Sequence, residues 1–302
     1  MFQHVLVVGS TGSGKTYTVS RIVSKAVKRD NELRSVIVFD WHGEYTGLLD
    51  VYEYIDPWDL PVNIIGSDIY ETVDLISDVL ELTHPQSFMV EKILSREKIS
   101  NIHELYRILE SLEDVASWMR ESRLSLLRKL SPIVRDAYID LFKGDRNNYV
   151  NLAGRSVMII DVSKIKDPLI RRIYIAFYLK KLFSVALERM LTGRLLIVVE
   201  EAYNLLNRDK PIRLISRMLA EVRKFGIGLI IVTQSPSTVV EDVMINTNTK
   251  IIHSLKSSCD IDLINKTLYL TEEFRQIIPY LDVGEAIIYS RSYKKPLLIK
   301  VK

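Results

Sequence analysis

The sequence predicts an α/β fold, a mostly parallel β-sheet buried on both faces, with an all-helical insertion. Three observations predict it. Apolar runs of strand length recur along the chain and are continuous rather than alternating, as in strands covered on both sides. Stretches with helical spacing separate those runs. Residues 68–142, by contrast, carry helical periodicity and no clear strand pattern.

Taken in order, strands are expected near residues 4–8, 35–39, 156–161, 194–199 and 228–233, with further ones near 250–254, 285–290 and 297–301. Helices are expected over 15–29, 168–192 and 211–225. In the middle segment Ile69, Val73, Ile76 and Leu80 share one helical face, as do Leu105, Ile108, Leu109 and Leu112, then Leu124, Leu127 and Leu130. Pro85 and Pro132 mark helix boundaries there. The expected division is a core of residues 1–66 and 151–302 around an insertion of about four helices over 67–150. Residues 144–151 are polar and turn-forming, and would carry the chain back to the sheet.

Composition sets outer limits. The 302 residues, 47% hydrophobic and 26% charged, suffice for one large α/β domain with an insertion, or for two small ones. With 41 Lys and Arg against 38 Asp and Glu, the net charge of +3 neither demands nor excludes nucleic acid. The single cysteine, Cys259, rules out an internal disulfide and fits a reducing compartment. A polar loop interrupts the apolar opening, so no secretory leader is expected, and no apolar run reaches the length of a spanning helix. The expectation is a soluble, cytoplasmic protein without a membrane span.

The segment Gly9-Ser10-Thr11-Gly12-Ser13-Gly14-Lys15-Thr16 fits the phosphate-binding pattern G-x-x-x-x-G-K-[ST]. It directly follows an apolar strand and precedes an amphipathic helix, the setting this pattern requires. Its glycines let backbone N–H groups turn toward an anion. Lys15 would reach the β- and γ-phosphates of ATP, and the Thr16 hydroxyl would ligate Mg²⁺. Tyr17 completes the candidate nucleotide-binding set.

Hydrolysis also needs a metal carboxylate and a residue that orients water. Glu200 and Glu201 end the apolar run that starts at residue 194, at the carboxyl end of a buried strand where α/β sheets place ligands. Successive strand residues point to opposite sides, so the two cannot share one task. Glu200 is assigned to the Mg²⁺ shell and Glu201 to polarising the attacking water. Gln234, at the tip of the run over 228–233, would sit beside the γ-phosphate and sense its loss.

With these residues in place, the chain resembles the HerA–FtsK superfamily of P-loop motors, and within it the HerA-like ATPases. Four segments carry the resemblance: the loop GSTGSGKT at 9–16, Phe39-Asp40-Trp41-His42-Gly43-Glu44-Tyr45, the Glu-Glu-Ala at 200–202, and Glu221-Val222-Arg223-Lys224-Phe225-Gly226 leading to the strand that ends Thr-Gln-Ser-Pro. Residues 246–252 and 283–288 also look like the close of such domains. The insertion matches nothing specific. The resemblance implies a RecA-like P-loop NTPase core that hydrolyses ATP with Mg²⁺, forms a homo-oligomeric ring, usually hexameric, and translocates double-stranded DNA. It places Arg223 where the family has an arginine finger, acting on ATP bound to a neighbouring subunit. Asp40, His42 and Glu44 would lie near the nucleotide or the subunit contact, and His42 lacks the companions of a metal ligand.

Two positions depart from the pattern: Trp41 stands where the family usually has proline, and Glu200 replaces the commoner aspartate. The first core strand starts at about residue 4, so the expectation is a minimal motor domain lacking the N-terminal β-barrel of HerA. Genome-packaging and conjugation-type ATPases share that economy. The loop over 207–213, with Arg208, Lys210 and Arg213, is the candidate DNA contact. A competing reading is a nucleotide-switched adaptor that recruits a nuclease or capsid partner.

Overall fold

Nine strands form one sheet in the order β3-β4-β2-β5-β6-β1-β7-β8-β9 among the described residues, which are 3–66, 68–113, 116–144, 156–188, 193–293 and 295–302 of a computed structural model. The first half of the chain runs β1 (Val5–Val8), α1 (Lys15–Arg29), β2 (Leu33–Asp40), β3 (Glu53–Ile55), then four consecutive helices α2 (Ile69–Leu80), α3 (His84–Arg96), α4 (Ile102–Ser111) and α5 (Ser117–Leu130). Then come β4 (Ser156–Asp161), α6 (Pro168–Leu187), β5 (Arg194–Val199), the single turn α7 (Tyr203–Leu206), α8 (Arg213–Glu221) and β6 (Ile227–Thr233). The chain closes with α9 (Glu241–Asn246), β7 (Thr249–Ile252), α10 (Ser258–Leu268), α11 (Glu272–Ile277), β8 (Glu285–Ser290) and β9 (Leu297–Lys300).

From β3 to β7 every pairing is parallel, and only β8 and β9 join antiparallel. Parallel strands covered on both faces need apolar residues at consecutive positions, which β5 and β6 supply without a break. One face carries Val7, Val36, Val38, Val198 and Val232 against Val19 and Val23 of α1. The other carries Leu6, Ile37, Phe39, Ile197 and Ile231 against Ile173 and Phe177 of α6 and Ile215 and Leu219 of α8. Helices α2–α5 lodge Ile76, Val90, Leu105 and Leu126 in that same second cluster. With parallel strands in register, the carboxyl ends of β1, β2, β5, β6 and β7 form one rim.

The expected α/β sheet is thus observed, and its elements differ from expectation in several places, among them the added helices α7, α9, α10 and α11. The edge strand β3 is an addition: only three residues long, with Glu53 and Tyr54 exposed, it offers no apolar run to read. The helix expected over 211–225 ends as α8 at Glu221, and a 3₁₀ turn, Val222–Phe225, takes its place before Gly226. The helix expected to reach 192 is described to Leu187; residues 189–192 and most of the turn over 144–151 lie outside the described residues.

Candidate functional site

The loop after β1 closes over a set of very short approaches. A Cβ on Gly9 would lie 2.6 Å from both the His253 Cβ and the Ser13 hydroxyl, so no larger residue fits without moving β1 or β7. Gly14 has φ +98 and would bring a Cβ to 3.0 Å from the Gly284 backbone nitrogen, which makes glycine necessary there twice over. Backbone bonds lock the loop to the neighbouring strand: Ser10 N donates to Ser254 O at 2.7 Å, and Gly284 N donates to Ser13 O at 3.2 Å. His253 fastens the helix that follows. Its Nδ1 donates to Glu285 O at 2.9 Å, which leaves Nε2 to accept from the Thr18 hydroxyl at 3.0 Å. Burial holds this imidazole down at about 4, in the neutral form that such a bond needs.

Lys15 opens α1, so its side chain and the first N–H groups of the helix share one concavity suited to an anion. The ammonium is buried and donates to Ser10 O at 3.0 Å. Burial lowers its proton affinity, and the carboxylates of Glu201, Glu200 and Glu44 oppose that effect.

Those carboxylates come from two other strands of the rim. Glu200 follows β5 on the Val198 side, the face that carries α1, and its Oε1 accepts from the Tyr45 hydroxyl at 2.5 Å. Burial pushes its carboxyl up to about 7, with the nearby charges of Asp40 and Glu201 adding to the rise while the Tyr45 bond and Lys15 oppose it. Glu201 turns away because its backbone adopts a left-handed φ of +47, uncommon outside glycine. Its Oε1 accepts from Gln234 Nε2 at 2.8 Å and lies 3.3 Å from His42 Nε2. Gln234 Oε1 in turn accepts from the Thr11 hydroxyl at 2.9 Å. One hydrogen-bonded chain therefore joins the loop after β1 to the tips of β6 and β5 and to the turn after β2.

That turn is organised by Asp40. Its Oδ1 accepts from the backbone N–H groups of His42, Gly43 and Glu44 at 3.3, 2.8 and 3.1 Å, and its Oδ2 from that of Tyr45 at 2.9 Å. Burial raises the Asp40 carboxyl, and these four donors pull it back. Trp41 is buried with the Arg171 guanidinium 4.8 Å from its ring, and its carbonyl accepts from Arg171 Nη1 at 3.0 Å.

The structure brings Lys15, Glu200, Glu201 and Gln234 together and leaves Arg223 apart. Arg223 is exposed in the 3₁₀ turn before β6, at the opposite rim from Gln234. The seven residues of β6 between them span about 23 Å. In the loop over 207–213, Lys210 and Arg213 are paired with acids of α2 and its end. Lys210 meets Glu81 at 2.5 Å, Arg213 meets Asp78 at 2.9 Å and Asp74 at 3.6 Å, and Arg217 meets Glu71 at 3.1 Å. The four acids lie on one face of α2 and its end, so α8 is fastened to the helical segment by an antiparallel row of ion pairs. Arg208 of this loop is exposed.

Two buried polar atoms at the site have no hydrogen-bond partner, Ser13 Oγ in the loop and Glu201 Oε2 at the tip of β5. Buried polar groups are rarely left so, and both fit a bound phosphate and its attacking water. Among the described residues no group of three or more His, Cys, Asp or Glu could hold a metal alone. A magnesium ion here would need nucleotide oxygens beside Thr16 and Glu200, as is usual for that ion. Tyr45 and His253 were not legible as site residues: each acts through a partner distant in sequence, Glu200 at 155 positions and Thr18 at 235.

The family model described as the central domain of helicase HerA matches residues 1–182. The DNA double-strand break repair helicase HerA of Sulfurisphaera tokodaii is 27% identical over 330 residues, covering 99% of this chain and 64% of its own length. The chain therefore spans less than two thirds of this relative. Among solved structures, VirB4 of Thermoanaerobacter pseudethanolicus matches with a TM-score of 0.75 at 18% identity, over 99% of this chain and 89% of that one. The genome packaging NTPase B204 of Sulfolobus turreted icosahedral virus 2, in complex with ATP-gammaS, matches with a TM-score of 0.51 at 15% identity, over 99% and 98%. These likenesses show the P-loop NTPase fold. Among the described residues no helix is long and apolar enough to cross a membrane.

Proposed function

The chain belongs to the family of helicase HerA central domains, and from that premise we propose that it is an ATP-hydrolysing motor domain that moves on double-stranded DNA. One observation carries the reading: Lys15, Glu200 and Glu201 converge on a glycine-built anion cradle whose Ser13 Oγ and Glu201 Oε2 are buried without partners. Residues 9–17 hold the nucleotide, with Lys15 on its terminal phosphates. Thr16 and Glu200 hold the Mg²⁺, which when bound neutralises phosphate charge and fixes the terminal phosphate. Glu201, held at Oε1 by Gln234, presents Oε2 to a water molecule and accepts its proton. Gln234 links that carboxylate to Thr11, so displacement of the loop on phosphate release is transmitted to Glu201. Arg223, remote from its own site, serves the nucleotide of a neighbouring copy in a ring.

HerA relatives acting in DNA double-strand break repair and a packaging NTPase of this fold support a DNA motor. The test is phosphate release from ATP with and without duplex DNA, alongside strand-displacement or triplex-displacement assays of movement. The expected result is turnover that duplex DNA accelerates, lost in Lys15→Ala together with tight nucleotide binding. Turnover that ignores DNA, with no movement, would point instead to the nucleotide-switched adaptor. Absence of nucleotide binding would overturn both readings.

A further inference from the structure

Glu200 is held by a residue that no motif of hydrolysis predicts. Tyr45 is fully buried among Val19, Val38 and Val198, and its hydroxyl donates to Glu200 Oε1 at 2.5 Å. Among the described residues no second hydrogen-bond donor reaches this carboxylate. The ring cannot drift, because Asp40 fixes the backbone from 42 to 45 through four N–H bonds, and Leu48 N and Leu49 N donate back to Tyr45 O at 3.0 and 3.1 Å. Strand register sets the distance. Phe39 of β2 pairs with Val199 of β5, so Asp40 and Glu200 sit one step further along adjacent strands, and the turn that Asp40 caps folds directly over Glu200.

Glutamate has one more rotatable bond than aspartate, so a carboxylate at position 200 has more orientations to lose before it can serve a metal shell. A buried donor that takes one oxygen removes most of them. Carboxylates that ligate metals depend on such outer partners, whose removal commonly costs about 10–100-fold in metal affinity or activity. We infer that Tyr45 is a positioning residue for Glu200, holding one carboxylate oxygen so that the other faces the magnesium shell of a bound nucleotide. This rests on the motor reading above, and on Glu200 being its metal-side carboxylate.

The test is Tyr45→Phe, which keeps the ring and deletes only the donor. ATPγS binding is titrated in EDTA and at rising Mg²⁺, and turnover is followed over the same metal range. The expected result is unchanged binding in EDTA, a magnesium half-saturation raised about 10–100-fold, and turnover that recovers at high magnesium. In a Glu200→Gln background the same substitution should move the half-saturation no further, because the two residues act as one unit. A lower melting temperature with an unmoved magnesium half-saturation would overturn the inference and leave Tyr45 a packing residue. A shift of equal size in both backgrounds would overturn it too. If the unsubstituted protein binds ATPγS with no magnesium dependence, Glu200 loses its metal role and the inference falls, while nucleotide binding itself stands.

Discussion

Substitution of Glu201 by glutamine separates binding from chemistry at this site. The amide is isosteric with the carboxyl. Its oxygen can keep the 2.8 Å bond from Gln234 Nε2, and its NH₂ then occupies the buried place of Oε2, which has no partner. The fold and the loop after β1 should therefore be undisturbed. Losing a negative charge beside a phosphate site cannot weaken anion binding through Coulomb forces, so nucleotide affinity should hold or rise. The chemical step is different, because an amide accepts no proton from water. Removal of a positioned general base costs about 10²–10⁴ in rate, equivalent to about 3–5 kcal/mol of barrier. The assay pairs equilibrium titration of ATPγS with steady-state phosphate release under saturating ATP and magnesium. Turnover within a few-fold of the parent would refute the assignment of Glu201. Loss of turnover with equal loss of binding would refute it as well, by showing that the substitution had damaged the cradle.

Two further predictions concern stability. Burial holds His4 down at about 4, with the Arg223 charge adding to the fall, and its Nδ1 accepts from Leu229 N at 3.0 Å. The unfolded chain takes up this proton near pH 6.5 and the folded one near 4, so stability is present above about pH 6.5 and drains as pH falls toward 4, by up to about 3 kcal/mol. His4→Asn keeps an acceptor for Leu229, and should shrink the loss between pH 7 and 4.5 measured by urea unfolding. Glu200 acts in the opposite sense between about pH 4.5 and 7, so variant and parent are compared at each pH. Asp78, on α2, caps α8 from outside: it accepts from Arg213 N and Nε, both at 2.9 Å, while Ile212 at the N-cap position supplies no side-chain bond. Asp78→Ala should lower stability by about 0.5–2 kcal/mol in thermal or urea unfolding, the usual cost of a lost cap.

What the sequence made legible was whatever is contiguous. The phosphate loop could be read because strand, glycines, lysine and helix follow one another, and the two glutamates because they end an apolar run. The sheet was legible through continuous burial, which β3 lacks at three residues. The 3₁₀ turn after α8 was not legible, since Val222 and Phe225 continue the apolar pattern and only Gly226, at φ +81, breaks it. Contacts between the tips of separate strands were out of reach for another reason: Tyr45 and Glu200 meet through register, and register is a property of the folded sheet. Trp41 looked like a departure from a family pattern, and its stacked contact with Arg171 gives it a packing role. In the loop over 207–213 the basic residues were visible in sequence, but the acids that pair with Lys210 and Arg213 lie some 130 positions earlier, on α2 and its end, and were not.

The placement of Arg223 leads to a test of assembly. Arg223 precedes β6 at its amino rim and Gln234 follows at the other, with a strand about 23 Å long between them, so Arg223 is remote from a phosphate held by Lys15 of the same chain. Any catalytic contact it makes must be with another copy, and its position is set by α8, whose start is fastened to α2 through Asp78, Asp74 and Glu71. Arg223→Ala and Lys15→Ala would then each abolish turnover for a different reason, one lacking the donated charge and the other the cradle. Mixed together, an intact cradle on the first can meet an intact Arg223 on the second. Turnover should reappear in the mixture, as a fraction of the parent's set by how often the two kinds become neighbours. An arginine finger contributes about 10³–10⁵ in rate, so even a small share of mixed contacts would rise well above either protein alone. A mixture that stays as inactive as its components, while size measurement shows the two have co-assembled, would remove Arg223 from the chemistry.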